Sequence, residues 1–275
     1  MNEQIEREKG IQGTLWDSMH DGYFSDPAVA APLIRKIREI AGRAKPQTII
    51  DLGGGTGFML SQLLKAGLAP DMALVNLDES VLQLDAAKAK GFTCFQGAVD
   101  SFERCDVAGG DGRCLFMMRS VLHYFGKDGL RPVLRHLRAQ AKPGEYFIHQ
   151  TASFERVRDA NCLNNLYAMM RTQKWYPTIA TLRRDLKAEG WTVVGMCPAA
   201  PLRLKDADLQ QRYGLTQEDL QLIRSRLSRN RRVLPDVFRK TSDGFCAFLH
   251  YWIYVCTPSF PETVHRNAKR EVSRS

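Results

Sequence analysis

The 275-residue sequence predicts an α/β fold with a doubly wound, mostly parallel sheet, and three observations support this prediction. Short β-branched or apolar segments alternate with segments of helical periodicity across residues 48–148. A glycine-rich turn directly follows the first of these apolar segments. The hydrophobic fraction of 44% matches that of soluble globular proteins and excludes wholesale disorder. Strand–helix alternation requires crossover helices, which join parallel strands in a doubly wound arrangement.

The elements of the alternating region follow in chain order. Asp26 and Pro27 suit a helix start, because Asp caps free N–H groups and Pro fits the first turn. Apolar residues then recur at helical spacing as far as Ile40. The predicted strands after this helix are residues 48–50, 73–77, 92–96, 113–118 and 146–148. The predicted helices between them are residues 58–64, 80–90 and 130–137.

The last part of the chain carries less regular signals. The sequence predicts a helix that opens at Pro177 and Thr178 and ends at Gly190, followed by a strand over 191–194. A capping-box pattern at residues 216–219 predicts a further helix with three apolar residues on one face. Residues 245–255 predict one final strand, and a polar tail follows.

The formal net charge of +9 is concentrated towards the C-terminus. Residues 201–275 hold 14 Lys or Arg against 8 Asp or Glu, including five arginines from Arg224 to Arg232. Such a region suits a nucleic acid, an acidic substrate or partner, or a solvated helix face. The arginine run lacks the aromatic residues that single-strand nucleic-acid surfaces interleave, so nucleic acid is the weaker interpretation.

Cysteine spacing and hydropathy exclude several other classes. The seven cysteines form no Cys-x-x-Cys pair, and no His/Cys cluster has zinc-ligand spacing, so no metal site is predicted. No stretch reaches the roughly 18 apolar residues of a membrane helix. The first nine residues are polar and lack the apolar core of a secretory signal. We therefore expect a cytoplasmic protein without a membrane partner.

The sharpest motif is residues 51–57, which carry glycines at 53, 54, 55 and 57. Glycines permit a tight turn and a close ligand approach, and the next helix points its N-terminal N–H groups at the same place. A dinucleotide fingerprint would need a third glycine at Phe58, so the order argues against a standard NAD site. Asp78 ends the second predicted strand, where a carboxylate can bind both ribose hydroxyls.

These motifs resemble those of class I S-adenosylmethionine-dependent methyltransferases. The glycine turn and residues 76–78, 118–125 and 141–145 carry the resemblance. It implies a Rossmann-like, seven-stranded sheet with an antiparallel last strand, a helical lead and helical insertions that form a lid. The implied divisions are a lid over 1–44, a methyltransferase domain over 45–256 with insertions near 154–177 and 203–240, and a tail over 257–275.

The resemblance also assigns residues to the cofactor S-adenosylmethionine. They are Asp51, Gly53, Gly54, Gly55, Asp78, Ala98, Val99, Arg119 and Tyr23. The glycines would support the methionine part, Asp51 would help to hold its amino group, and Asp78 would bind the ribose. Ala98 stands where family members often have an acidic residue. The adenine would therefore contact the backbone N–H of Ala98 or Val99.

Methyl transfer depends mainly on alignment, and a base is needed only if the acceptor must lose a proton. His123 and His149 are the candidate bases, and packed core histidines are the alternative. Arg119 would line the cofactor site or bind an acidic acceptor. Tyr23, in an aromatic segment before the first long helix, would face the positive sulfonium or simply pack against the helix.

The leading hypothesis is methylation of a small organic acceptor, at oxygen or nitrogen. Residues 154–177 are rich in Asn, Met and aromatic side chains, which suits an acceptor wall or a homodimer interface. Two alternatives are a nucleic-acid methyltransferase that uses the basic C-terminal region and a non-catalytic cofactor-binding protein. The absence of an N/D-P-P-Y type motif weighs against the first, and the intact glycine turn with Asp78 against the second.

Overall fold

A computed structural model describes residues 19–69, 71–228 and 235–259 of the chain. Its strands are β1 (Thr48–Leu52), β2 (Ala73–Asp78), β3 (Thr93–Gln96), β4 (Cys114–Arg119), β5 (Tyr146–Ala152), β6 (Trp191–Pro198), β7 (Leu202–Lys205), β8 (Phe238–Lys240), β9 (Phe245–Leu249) and β10 (Tyr251–Pro258). Its α-helices are α1 (Pro27–Ala44), α2 (Phe58–Lys65), α3 (Val81–Lys88), α4 (Arg104–Val107), α5 (Gly126–Gln140), α6 (Val157–Met169), α7 (Ile179–Ala188), α8 (Asp206–Tyr213) and α9 (Gln217–Ser228). Short 3-10 segments span Met19–Gly22 and Leu122–Phe125.

The main sheet confirms the predicted fold class. Seven strands lie in the order β3-β2-β1-β4-β5-β10-β6. Neighbours from β3 to β5 pair in parallel, whereas β10 runs antiparallel to both β5 and β6. The strand order reverses between β1 and β4, and in doubly wound sheets ligands bind at the carboxyl ends of the strands beside such a reversal.

Helices cover both faces of this sheet because each has one apolar stripe. On one face, Leu33 and Ile37 of α1 are buried with Leu60 of α2 and Ile49 of β1. Full burial of side chains of this size contributes about 1.5–3 kcal/mol each. The opposite face is covered by α5 and α7. The helix α1 therefore packs within the core. The sequence predicted residues 1–44 as a lid over the site, and residues 1–18 of that lid fall outside the described residues.

The C-terminal apolar run forms two strands where the sequence predicted one over 245–255. The strand β9 lies in a small antiparallel sheet of order β7-β9-β8, and β10 lies in the main sheet. The chain passes from one sheet to the other at His250, whose carbonyl oxygen accepts a hydrogen bond from the N–H of Ser153. Both strands are buried, so the apolar pattern continues across the break and does not reveal it.

The insertions near 154–177 and 203–240 were predicted to be helical, and the structure differs in the second. The first contributes α6, and the second contributes α8 and α9 together with strands β7 and β8. The second insertion therefore includes sheet as well as helix. The two insertions share a hydrophobic core that includes Tyr167, Tyr176, Leu209 and Phe245. None of the helices in the described ranges is both long and apolar enough to span a bilayer.

Candidate functional site

The glycine turn after β1 folds back onto the end of β2. The N–H groups of Gly53 and Gly54 both donate to the carbonyl of Leu77, at 2.8 and 3.2 Å. Gly53 has a φ of +70°, and a Cβ there would lie 2.8 Å from the Cγ2 of Val121. A side chain is therefore excluded by backbone conformation and by space, which leaves the backbone open to a ligand.

Gly54 is required for a second reason, because two side chains lie directly beneath it. A Cβ at Gly54 would lie 2.2 Å from the Oδ1 of Asn76 and 2.7 Å from the Oδ2 of Asp51. Both oxygens are buried, and neither has a hydrogen-bond partner among the described residues. Two buried acceptors without donors are costly unless a ligand supplies the donors.

The environment of Asp51 suits a cationic ligand group. Burial, followed by the nearby carboxylate of Asp78, raises the pKa of Asp51 to about 7, and the Arg119 cation opposes this shift. The side chain is 1% exposed and lines a cavity. A cation bound there would favour the ionised carboxylate and satisfy its unpaired oxygen.

Asp78 is oriented by backbone N–H groups at the end of β2. Its Oδ2 accepts from the N–H of Gly55 and its Oδ1 from the N–H of Ser80, both at 2.9 Å. Burial raises the pKa of Asp78, and these hydrogen bonds partly counteract that effect. Each carboxylate oxygen retains a further acceptor position for a ligand hydroxyl.

These residues border a cavity of about 370 Å³ at the carboxyl ends of β1, β2 and β4. Its size is in the range of small-molecule and cofactor sites. Its lining combines the turn, the ends of β2 and β4, and apolar side chains: Phe24, Asp51, Gly53, Gly54, Gly55, Thr56, Phe58, Met59, Asp78, Glu79, Ser80, Gln83, Val99, Arg119, Ser120, Val121, Tyr124 and Phe125. The structure thus brings together most of the residues that the sequence assigned to a cofactor.

Arg119 joins the segment before α1 to the end of β4. Its Nη1 donates to the carbonyl of Phe24 and its Nη2 to that of Tyr23, each at 3.1 Å. The guanidinium carbon also lies 5.5 to 5.8 Å from the ring centroids of Tyr23, Phe24 and Phe58. Its Nε is buried without a partner among the described residues. Within the described ranges, this donor is therefore unpaired in a residue that lines the cavity.

Two predicted cofactor residues do not line the cavity. Tyr23 is buried, its hydroxyl donates to the carbonyl of Ala200 at 2.5 Å, and its ring stacks on Tyr251. Its neighbour Phe24 lies at the cavity in its place. The carbonyl oxygen of Ala98 accepts hydrogen bonds from the N–H groups of residues 101 and 102, and Ala98 lines an adjacent pocket. Val99 lines the main cavity.

Neither predicted histidine base reaches the cavity. His149, on β5, is completely buried between the rings of Phe147 and Tyr254, and its Nδ1 is 2.7 Å from the Oγ1 of Thr151. Burial lowers the pKa of His149 to about 3. His123 stacks on Tyr176, and its pKa is lowered well below the usual value, mainly by burial. The geometry therefore makes both of them packed core histidines.

Several wall residues at the end of β4 belong to the segment 118–125 but had no predicted role in the site. Ser120 has a φ of 63°, rare for a residue other than glycine, and its side chain hydrogen-bonds to the hydroxyl of Tyr251. Val121, Tyr124 and Phe125 complete this part of the wall. Their position immediately after a parallel strand was the available signal. Within the described ranges, no group of three or more His, Cys, Asp or Glu side chains is arranged to bind a metal ion.

Comparison with solved structures shows the same fold in other proteins. The YcgJ protein from Bacillus subtilis has a TM-score of 0.64 and 13% identity, over 84% of this chain and 99% of that chain. A putative methyltransferase from Bacillus halodurans has a TM-score of 0.64 and 14% identity, over 82% and 97%. A magnesium protoporphyrin IX methyltransferase from Synechocystis, solved with bound SAH, has a TM-score of 0.50 and 13% identity, over 84% and 82%.

Sequence comparison identifies the family directly. A search of curated proteins finds no matching sequence. The family model described as a methyltransferase domain matches residues 28–195, which is more than half of the chain. The match includes the glycine turn, Asp78 and the end of β4, so it covers the lining of the cavity except Phe24. The chain belongs to this methyltransferase family, and its sheet is that of the class I enzymes.

Proposed function

We propose that this protein transfers a methyl group from S-adenosylmethionine to oxygen or nitrogen of a small organic acceptor. The observation that carries the proposal is the unpaired, buried Oδ2 of Asp51 beneath a glycine turn, beside the carboxylate of Asp78. A ligand with an ammonium group and a ribose would supply donors to both carboxylates. S-adenosylmethionine has both groups, and a solved structure of the same fold contains bound SAH.

The residues present fit this cofactor. Asp51 would accept hydrogen bonds from its ammonium group, and the free Nε–H of Arg119 would donate to its carboxylate. Asp78 would accept from the ribose hydroxyls, and the backbone of Gly53, Gly54 and Gly55 would lie against the methionine part. Val99 would contact the adenine. When bound, the cofactor supplies an electrophilic methyl group on a positive sulfur.

The chain's own contribution to the reaction is alignment and exclusion of water. The acceptor's lone pair must lie in line with the bond that breaks. Binding two reactants in this orientation lowers the barrier by several kcal/mol, because their translational and rotational freedom is lost before the reaction. Phe24, Phe58, Val121 and Phe125 give this cavity apolar walls. Such walls hold an organic acceptor and keep competing water away from the methyl group.

The first arginine of the basic run makes contacts within the protein, which favours a small acceptor over nucleic acid. Arg224, the first arginine of the basic run, donates to the carbonyls of Thr241 and Ser242, at 2.8 and 3.2 Å. Arg224 therefore joins α9 to the turn between β8 and β9, and its Nη2 is not free to contact phosphates. Residues 229–234 lie outside the described residues.

Calorimetric titration tests the proposal without knowledge of the acceptor. S-adenosylmethionine, S-adenosylhomocysteine and NAD are titrated in parallel into the full chain. We expect micromolar binding of the first two and no binding of NAD. Failure of both methyl-cycle ligands to bind would overturn the proposal. Binding without turnover across an acceptor screen would favour a non-catalytic cofactor-binding protein.

A further inference from the structure

Tyr124 is the tyrosine in the wall of the cavity. It follows β4 in the Leu122–Phe125 segment and is 36% exposed. The other wall groups that can accept a proton are Asp51, Asp78 and Glu79, which belong to the β1–β2 side. Arg119 is a cation, and both predicted histidine bases are packed away from the cavity. On the β4 side, Tyr124 is thus the wall residue whose side chain can exchange a proton.

Two buried cations from the insertions converge on Tyr124. The Nη2 of Arg212 donates to the Tyr124 hydroxyl at 3.2 Å, and the Nζ of Lys174 lies 4.6 Å from the centroid of its ring. Both cations are 7% exposed. The Nζ of Lys174 also donates to the hydroxyl of Tyr213 at 2.8 Å and lies over the ring of Tyr167. The positions of these charges are therefore set by packing.

Besides Tyr167 and Tyr213, two histidines and a carboxylate are among the described titratable groups around this cluster. Burial, assisted by Arg212 and Lys174, lowers the pKa of His20 to about 3, and burial with the same two cations lowers the pKa of His123. Both histidines are therefore neutral near pH 7. Asp208 lies beyond His20, with its Oδ2 3.5 Å from the Nδ1 of that ring. Among the described groups, the charges in contact with Tyr124 are the two cations.

We propose that Tyr124 is a catalytic residue that accepts the acceptor's proton through its phenolate oxygen. This inference rests on the proposed function. The acceptor's O–H or N–H bond breaks, and its proton passes to the Tyr124 oxygen. The lone pair left on the acceptor forms a bond to the methyl carbon, while the carbon–sulfur electrons remain on sulfur. The tyrosine proton then leaves to water.

The two cations explain why a tyrosine can perform this step. A positive charge within about 4–6 Å favours the ionised form of an acid. A hydrogen bond from Arg212 also stabilises the phenolate more than the neutral phenol. The inference narrows the substrate class to acceptors with a removable proton, such as phenols, hydroxyls or N–H groups. It excludes thioethers and tertiary amines, which need no base.

A pH titration of the ligand-free full chain tests the ionisation directly through tyrosinate absorbance. Burial raises the pKa of Tyr254 to about 12, and burial likewise raises the pKa values of Tyr23, Tyr176 and Tyr251. These four tyrosines therefore stay protonated below pH 10 and add no tyrosinate absorbance there. Tyr213, whose hydroxyl accepts from Lys174, is a second candidate for early ionisation. For Tyr124 we expect a step at least about one pH unit below the ordinary value of about 10. The step disappears in Tyr124→Phe.

The matched control is Tyr146→Phe, because Tyr146 begins β5 at the end of the strand opposite the cavity. This control retains the early step. Absence of the step from the unmodified chain, or its persistence in Tyr124→Phe, would overturn the inference.

Variants of the cations provide a second measurement. Lys174→Gln shifts the early step to higher pH, and Lys174→Arg keeps it, because the charge is restored. If circular dichroism shows that Lys174→Gln is unfolded, Arg212→Gln and Arg212→Lys make the same comparison. A step that does not move in any folded charge-removing variant would contradict the role of the cations.

Activity separates this inference from the proposed function. With an acceptor found by screening, Tyr124→Phe lowers kcat about 100-fold or more and removes the rise of the rate with pH. Its calorimetric affinity for S-adenosylmethionine changes far less than kcat does. Full turnover by Tyr124→Phe would refute the catalytic role while leaving the proposed function intact. If the unmodified chain did not bind the cofactor, the proposed function would be refuted. The tyrosine titration of the ligand-free chain would still test the ionisation of Tyr124.

Discussion

The two sides of the cavity are built in different ways. The β1–β2 side comes from two short segments of chain, residues 51–57 and 76–80, whose backbone N–H groups orient the carboxylate of Asp78 beside that of Asp51 in the cavity wall. The β4 side presents Tyr124, whose polar neighbours Lys174 and Arg212 come from separate insertions. The first side is a compact local motif that many acceptors could share. The second side depends on insertions, and it is where a particular acceptor would be selected.

The largest effect on the β1–β2 side is expected from Gly54→Ala. The new Cβ would lie 2.2 Å from the Oδ1 of Asn76, so either the turn or Asp51 must move. We expect a loss of cofactor affinity of about 100-fold or more, measured by calorimetry. Gly42→Ala is the control, because nothing lies within 4 Å of its Cβ position in α1. It should keep affinity and stabilise the fold by roughly 0.5–1 kcal/mol.

Asp78→Asn tests the ribose contact while keeping the shape of the side chain. We expect binding to weaken by about 1–3 kcal/mol, because charge-assisted hydrogen bonds to two hydroxyls are lost. Asp85→Asn, on the exposed face of α3, serves as the control and should bind normally. Equal affinities of the two variants would remove Asp78 from the site.

The raised pKa of Asp51 predicts that cofactor binding depends on pH. Only the ionised carboxylate attracts the ammonium group, and the pKa of about 7 places this change near neutrality. Affinity should rise as pH increases through 7 and fall by up to about tenfold per pH unit below it. Asp51→Asn should bind weakly at every pH and show no such slope. A steep slope in that variant would assign the titration to another group.

The same shift has the opposite consequence for the ligand-free fold. The folded-state pKa of Asp51 lies above its ordinary value of 3.8, so folding favours the protonated form. Stability from this group is complete below pH 3.8 and is lost as pH rises towards about 7. Denaturant titrations of the unmodified chain and of Asp51→Asn should diverge over this window. Parallel curves would contradict the shift.

The smallest expected effect concerns Tyr23, on the β4 side. Its hydroxyl bonds to Ala200 and its ring stacks on Tyr251, away from the cavity lining. Tyr23→Phe should cost about 1 kcal/mol of unfolding free energy and leave cofactor affinity unchanged. Phe24→Ala, at the neighbouring wall position, should weaken affinity. If Tyr23→Phe weakened binding instead, the sequence-based role of Tyr23 would be restored.

Much of the fold and half of the site were predictable because their causes are local. Alternation of strands and helices predicted the parallel sheet, and the turn with Asp51 and Asp78 predicted residues that line the cavity. The histidines were misjudged for a physical reason. A histidine after a strand has the same sequence appearance whether it faces a cavity or the core, and His149 is enclosed by rings from β5 and β10.

The sequence by itself determined the sheet, the glycine turn and the carboxylate that ends β2, since each depends on neighbouring residues and on the direction of one strand. Only the tertiary structure decided that residues 245–255 divide between two sheets, that Phe24 replaces Tyr23 at the cavity, and that Lys174 and Arg212 meet at Tyr124. Arg212 and Tyr124 are 88 residues apart in the chain. Contacts over such separations depend on how the insertions fold back on the core. The periodicity of apolar side chains reports local structure and does not predict those contacts.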